Sequence, residues 1–252
     1  MSIFLLILIL LAGFVAGIAN VIAGAGSLIT FPILVAVGLP PVTANMTNDI
    51  GLTTGNISGV FAVRGNLRHS GKNFVRLMLI AAVGSVLGAF LLILLPSHIF
   101  EWIAPIMLLI ASLLTLAKSW VMAHNGWLTK LPAAYETTIF VIATYGGYFG
   151  SGIGLLFMAA LSIFEAGNIK RLNAYKNVFQ LLSNGIAGLI FIFVARKINW
   201  PAALALSVGA LLGAQIGAKI SQHISEKMLR WVISSLGILA ALVLFLENFV
   251  KF

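Results

Sequence analysis

The 252 residues are 61% hydrophobic and 8% charged, with a mean hydropathy of +1.10 and a formal net charge of +9. Soluble domains typically carry about 25% charged residues, so a chain this apolar has no water-facing surface to offer and takes lipid as its solvent. The length allows one compact bundle, and the lack of cysteine excludes disulfides, thiolate metal sites and thiol chemistry.

In chain order, apolar stretches run approximately over 3–22, 27–38, 44–63, 74–95, 99–121, 135–149, 153–166, 177–195, 200–218 and 229–247. The first has no basic n-region and continues past any cleavage site, so it reads as a retained membrane segment. A bilayer crossing needs about 20 residues, and 27–38, 135–149 and 153–166 fall short of that. The short stretches flank two glycine-rich breaks, Gly24-Ala25-Gly26-Ser27 and Gly150-Ser151-Gly152-Ile153-Gly154. Broken backbone at membrane depth is tolerated only inside protein or against a water-filled cavity. Lys and Arg gather in short loops between the apolar stretches. That distribution fits a positive cytoplasmic face meeting anionic lipid headgroups, so the net charge is not read as a sign of nucleic acid.

A spacing of 129 residues relates the two halves, linking Gly17 to Gly146, Gly38 to Gly167, Asn48 to Asn177, Gly59 to Gly188, Leu77 to Leu206, Gly84 to Gly213, Gly88 to Gly217 and Trp102 to Trp231. The sequence therefore predicts an all-α integral membrane protein of two pseudo-symmetric repeats. Each has about four helical segments, with a re-entrant or discontinuous first helix at the glycine break. Residues 1–122 are the first membrane repeat, 123–133 a linker and 134–252 the second repeat. With simple crossings and the Arg64, Arg68, Lys72, Arg76 loop in the cytoplasm, Lys170, Arg171, Lys219, Lys227 and Arg230 fall outside. If each break is instead a re-entrant tip, the second half inverts and only Arg196, Lys197 and Lys251 lie outside, so the positive-inside rule favours inverted repeats. Segment 3–22, long enough to cross fully, stands in tension with the re-entrant version.

The breaks are the first candidates for chemistry. Half-helices starting near Ser27 and Ile153 would aim backbone N–H groups and a positive dipole end at the membrane centre, which suits an anion. Close helix packing is the competing role for glycine, and it is the expected one for Gly55 with Gly59, Gly84 with Gly88, and Gly213 with Gly217. Polar residues inside apolar runs come next: Thr47, Asn48, Asp49 and Asn56 in the first half, Lys176, Asn177, Gln180 and Asn184 in the second. Lys176, Gln180 and Asn184 share a helix face by spacing, and intramembrane charges usually face a cavity or a partner. Lys176 could also snorkel to the interface, and Asp49 could be a carboxylate satisfied by its helix dipole. His69, His98, His124 and His223 lie in or beside loops without metal-ligand spacing. Trp102, Trp120, Trp127, Trp200 and Trp231 sit at segment ends, as an interfacial belt would. No Ser/His/Asp set, carboxylate pair or histidine cluster converges, which argues against an enzyme, and no cofactor is expected.

At these residues the sequence resembles the TauE/SafE family of sulfite-exporter-like permeases. The first half carries Gly24-Ala25-Gly26-Ser27-Leu28-Ile29-Thr30-Phe31-Pro32, Gly38-Leu39-Pro40-Pro41, Ala44-Asn45-Met46-Thr47-Asn48 and Gly55-Asn56-Ile57-Ser58-Gly59. The second carries Leu172-Asn173-Ala174-Tyr175-Lys176-Asn177, Asn184, Asn199-Trp200-Pro201-Ala202 and the run 209–217. The family's glycine triplet is here Gly24-Ala25-Gly26, no proline matches Pro32 in the second half, and Thr47-Asn48 replaces a common Thr-Ser pair. The resemblance implies an inner-membrane permease for small anions such as sulfite, sulfonates or related compounds.

The resulting expectation is a central anion site between the repeats. Gly24, Gly26, Ser27, Gly152 and Gly154 would bind through the breaks, and Lys176 would supply counter-charge. Thr47, Asn48, Asn56, Asn177, Gln180 and Asn184 would line the site. Asp49 is the candidate for ion coupling, with protons as the coupling ion. Small anions and membrane lipids are the expected partners, and an oligomer is compatible with the sequence. A cation transporter, which would need more acidic residues than Asp49 in the core, and a non-transporting scaffold are the rival readings.

Overall fold

The computed structural model describes residues 1–67, 71–124, 132–165, 168–195, 197–220 and 226–250. Arg68, His69, Trp127, Gly167, Arg196, His223 and Lys251 lie outside the described residues, as do most of the expected linker and the side chains of Trp120, His124, Lys227 and Arg230.

The described residues form ten α-helices: α1 Ile3–Ile22, α2 Ser27–Ala36, α3 Pro41–Val63, α4 Lys72–Leu94, α5 Ser97–His124, α6 Pro132–Tyr148, α7 Ile153–Phe164, α8 Ile169–Ile190, α9 Trp200–Ile220 and α10 Glu226–Val250. A 3-10 turn, Arg64–Leu67, extends α3, and a π turn, Phe191–Ala195, ends α8. Five stretches are long and apolar enough to cross a bilayer: Ile3–Ile22, Lys72–Leu94, Ser97–Leu116, Ile169–Ala195 and Trp200–Ile220. Phe4, Leu79, Leu94, Leu204 and Leu239 are exposed on the outside of the bundle, while Asn48, Asp49, Lys176, Gln180 and Asn184 are buried inside it among apolar side chains such as Phe31, Phe149 and Phe179. That inside-out polarity belongs to a multi-pass membrane protein. Each half thus holds four long helices and one short one, the first helix being interrupted at the glycine break.

Local chemistry explains the helix ends. Pro41 occupies the first turn of α3, where its missing N–H would be unpaired anyway. The Asn168 side chain accepts from the Lys170 N–H at 3.0 Å to start α8, and Asn199 accepts from the Ala202 N–H at 3.1 Å to start α9. The chain leaves α1 and α6 through left-handed glycines, Gly24 at φ +76° and Gly150 at φ +73°.

Glycine and alanine faces set the packing. Gly13 and Gly17 of α1 press on Leu206, Ala210 and Ala214 of α9, and Gly209, Gly213 and Gly217 of α9 press in turn on Leu10, Phe14 and Ile18. The residue order shows that α1 and α9 run parallel. Helices α4 and α6 pack in the same manner, Gly84 against Phe140 and Gly88 against Thr144. Between hydrocarbon-solvated helices such close backbone approach supplies the dispersion contacts that hold the pair. Helix α3 also runs parallel to α9, through Gly51 on Leu206 and Gly55 on Ala210. It runs antiparallel to α8, since Gly188 faces Ile50 while Gly185 faces Thr53. Helix α5 pairs with α10.

Exchanging the halves maps this scheme onto itself: α1 on α9 becomes α6 on α4, and α3 meets its own repeat mate α8. The repeats therefore interlock, each lending its first helix to the other half. The register differs from the sequence reading at one place. Gly84 faces Phe140 where its mate Gly213 faces Phe14, and Gly88 faces Thr144 where Gly217 faces Ile18. Helices α1 and α6 thus correspond at a spacing of 126, the spacing of Phe14 and Phe140, and so do the left-handed Gly24 and Gly150. The match of Gly17 to Gly146 was a coincidence between two small-residue stripes. The spacing reaches 129 only after α7, which has 12 residues where α2 has 10.

Helix directions gather the basic residues. Arg64 ends α3, Lys72 and Arg76 open α4, Lys170 and Arg171 open α8, and Lys219 closes α9. Given the α3–α8 and α3–α9 directions, these fall at one end of the bundle, where Arg76 also pairs with Glu136 of α6 at 3.0 Å. Lys197, ahead of α9, falls at the other end.

Candidate functional site

The two breaks touch. Gly24 lies so close to Gly154 that a Cβ on Gly24 would sit 2.7 Å from the Gly154 backbone. The Ser27 hydroxyl donates to the Gly150 carbonyl at 3.3 Å and accepts from the Gly152 N–H at 3.2 Å, tying the second break to the start of α2. The Gly26 N–H is held by Asn20 Oδ1 at 2.6 Å. In this conformation the N–H groups of Gly26 and Gly152 are therefore engaged within the protein.

Around the first break, Asn20 is the hub. Its Oδ1 also accepts from Gln180 Nε2 at 3.1 Å, and its Nδ2 donates to Asn56 Oδ1 at 3.2 Å. The Lys176 ammonium donates to the Asn20 and Val21 carbonyls at 3.0 and 3.3 Å. A cation at the C-terminal carbonyls of α1 meets the negative end of the helix dipole. Lys176 is only 1% exposed, so it does not snorkel to the interface. The structure thus brings together Gly26, Asn56, Lys176 and Gln180 of the residues singled out by sequence, and adds Asn20. A buried amide in an apolar helix, one turn before a glycine break, was the signal available for it.

Around the second break lie Asp49, Asn184 and Gly150, with Asn48 one residue before Asp49 on α3. Asp49 and Asn184 are buried, and Asp49 Oδ1, Asp49 Oδ2 and Asn184 Oδ1 find no hydrogen-bond partner among the described residues. Thr30 donates to Asn48 Oδ1, and Asn45 Nδ2 donates to the Tyr148 carbonyl at 3.1 Å. Asn177 is buried next to Lys176, and its Nδ2 has no hydrogen-bond partner among the described residues. Thr47 stands apart from both groups, since its hydroxyl accepts from the Asn199 N–H at 3.1 Å ahead of α9.

A cavity of about 270 Å³ leads from the basic end toward the first break, lined by Val21, Val63, Met158, Lys170, Asn173 and Lys176 among others. Among the described residues, two lysines and no carboxylate line it. Burial of unpaired amides and a carboxylate costs free energy in an apolar medium, and the α3–α8 seam carries that cost at Asp49, Asn177 and Asn184.

A family model described as "Sulfite exporter TauE/SafE" matches residues 9–244. The chain belongs to the TauE/SafE family. Three curated relatives agree with it. A "Probable membrane transporter protein ORF9" of a Sinorhizobium species is 29% identical over 212 residues, 83% of this chain and 80% of its own. The "Probable membrane transporter protein YfcA" of Escherichia coli K12 is 26% identical over 221 residues, 85% of this chain and 80% of its own. A "Probable membrane transporter protein" of Haemophilus influenzae is 27% identical over 211 residues, 83% and 82%. No solved structure gives a significant match. As a TauE/SafE protein the chain is a multi-pass membrane transporter.

Proposed function

We propose that this TauE/SafE protein is a secondary transporter of a small anion in the inner membrane, with sulfite, a sulfonate or a related oxyanion as substrate, and that it is not an enzyme. The observation that carries the reading is the buried Lys176 in the wall of a cavity that opens at the basic end and has no carboxylate among the described residues of its lining. Lys170 at its start and the Asn173 amide beside it suit an anion on its way in. Asn48, Asn56, Asn177, Gln180 and Asn184 offer amides along the α3–α8 seam. Gly24, Gly26, Ser27, Gly152 and Gly154 bring the breaks against each other, and a shift of one half relative to the other would release the Gly152 N–H from Ser27 for the anion.

In this mechanism the halves are inverted repeats. The antiparallel run of the repeat mates α3 and α8 supports that arrangement, and so does the basic end it creates, which meets the cytoplasm by the positive-inside rule. Alternating access then follows from movement of the interlocked halves about a fixed site.

Melting of the purified protein tests the anion reading. A ligand at 100 times its dissociation constant stabilises the folded state by about 2.7 kcal/mol. Sulfite or a small alkylsulfonate is expected to raise the melting temperature saturably, tetramethylammonium to leave it unchanged, and Lys176→Met to lose the anion effect. Equal stabilisation of wild type and Lys176→Met by the same anion would contradict it.

A further inference from the structure

Three oxygens converge beside Gly150. From the position a Cβ on Gly150 would take, Asp49 Oδ1 lies 3.0 Å away, the Gly146 carbonyl 3.1 Å and Asn184 Oδ1 3.7 Å. Asp49 is fully buried and Asn184 is 1% exposed, and both side-chain oxygens lack a hydrogen-bond donor among the described residues. The second Asp49 oxygen is likewise unpaired. Gly146 belongs to the last turn of α6, the end of a helix where carbonyls project without intrahelical partners. A side chain at residue 150 would stand among these oxygens.

We propose that this cradle is a binding site for a monovalent cation of the Na⁺ class. The inference rests on the transport reading above and adds the coupling ion to it. Hard cations take oxygen ligands, and the ends of broken helices serve as such ligands in transporters. One carboxylate matches one positive charge. Among the described residues no group of three or more His, Cys, Asp or Glu side chains is present, so the charge that a divalent ion requires is not assembled. A proton on Asp49 would serve one oxygen, whereas a cation between these groups would serve all three oxygens at once. The ligands come from α3 of the first half and from α6 and α8 of the second. A bound ion therefore ties the halves together in this conformation, and its release weakens that tie, which makes the conformational equilibrium depend on the ion.

The first test is the melting temperature of wild-type protein in NaCl, KCl and choline chloride at equal chloride and ionic strength. A saturable rise specific to Na⁺ is expected, with the apparent affinity weakened about tenfold or more in Asp49→Asn and in Asn184→Leu, since each tenfold reflects only a modest loss of ligand energy. Identical melting of wild type in the three salts overturns the site, as does a Na⁺ effect that survives Asp49→Asn. The second measurement needs no variant: anion uptake into wild-type proteoliposomes under an inward Na⁺ gradient at clamped voltage. Uptake several-fold faster than in choline supports the site. Uptake that responds to a pH gradient alone overturns it while leaving the anion transporter intact, and so separates the two proposals.

Discussion

Asn20 shows how one side chain can organise a break in a membrane helix. Its amide oxygen serves both the Gly26 N–H and Gln180, its amide nitrogen serves Asn56, and its own carbonyl receives Lys176. Replacing it with leucine leaves several buried groups unpaired at once, at about 1–3 kcal/mol each. Asn20→Leu is therefore expected to lose about 2–4 kcal/mol of stability, seen as a lower melting temperature in detergent. An unchanged melt would show that the network carries no weight. The residues around the hub were legible in the sequence because lysine, glutamine and asparagine are rare in apolar runs and cluster by helical spacing in 176–184. Asn20 was not, since a single amide in a 20-residue apolar helix does not reveal what it faces until the path of the break is known. Thr47 stands apart from the hub for the opposite reason. Its place beside Asn48 suggested the site, but its hydroxyl is used ahead of α9, a contact 152 residues away in sequence.

At the scale of elements, the bundle is held by helices whose backbones nearly touch, and this makes two glycines in corresponding positions equally sensitive. A side chain at Gly213 would run into Phe14, and one at Gly84 would lie 2.6 Å from the Phe140 carbonyl. Gly213→Leu and Gly84→Leu are each expected to cost at least about 1–3 kcal/mol through overpacking. Val83→Leu, beside Gly84 but facing lipid at 62% exposure, should be near neutral, within about 0.5 kcal/mol. Melting of the three variants checks this, and a neutral Gly213→Leu would contradict the α1–α9 contact. The helices themselves were readable from apolar runs and glycine breaks. Their register was not wholly so, because glycine and alanine recur on packing faces every three or four residues. Two such stripes can be aligned several residues out of step, as Gly17 and Gly146 were.

At the scale of the molecule, the interlocking of α1 with α9 and of α6 with α4 joins both repeats into one body, which no local pattern in the sequence states. The direction of α8 against α3 places Lys72 and Lys170 at the same end and Lys197 at the other. The natural sequence contains no cysteine, so single cysteines can report on sides. Lys72→Cys and Lys170→Cys are expected to react with an impermeant maleimide from the cytoplasmic side, and Lys197→Cys from the opposite side. Labelling of Lys72→Cys and Lys170→Cys from opposite sides would rule out inverted repeats. Anion transport along the α3–α8 seam is tested most directly by flux. Wild type and Lys176→Met, reconstituted at equal density and shown to be folded by their melting transitions, are compared for uptake of labelled sulfite and a small sulfonate panel. Uptake by wild type that falls to the rate of empty liposomes in Lys176→Met is the expected result, and uptake of the same anion at equal rates by both proteins would contradict it.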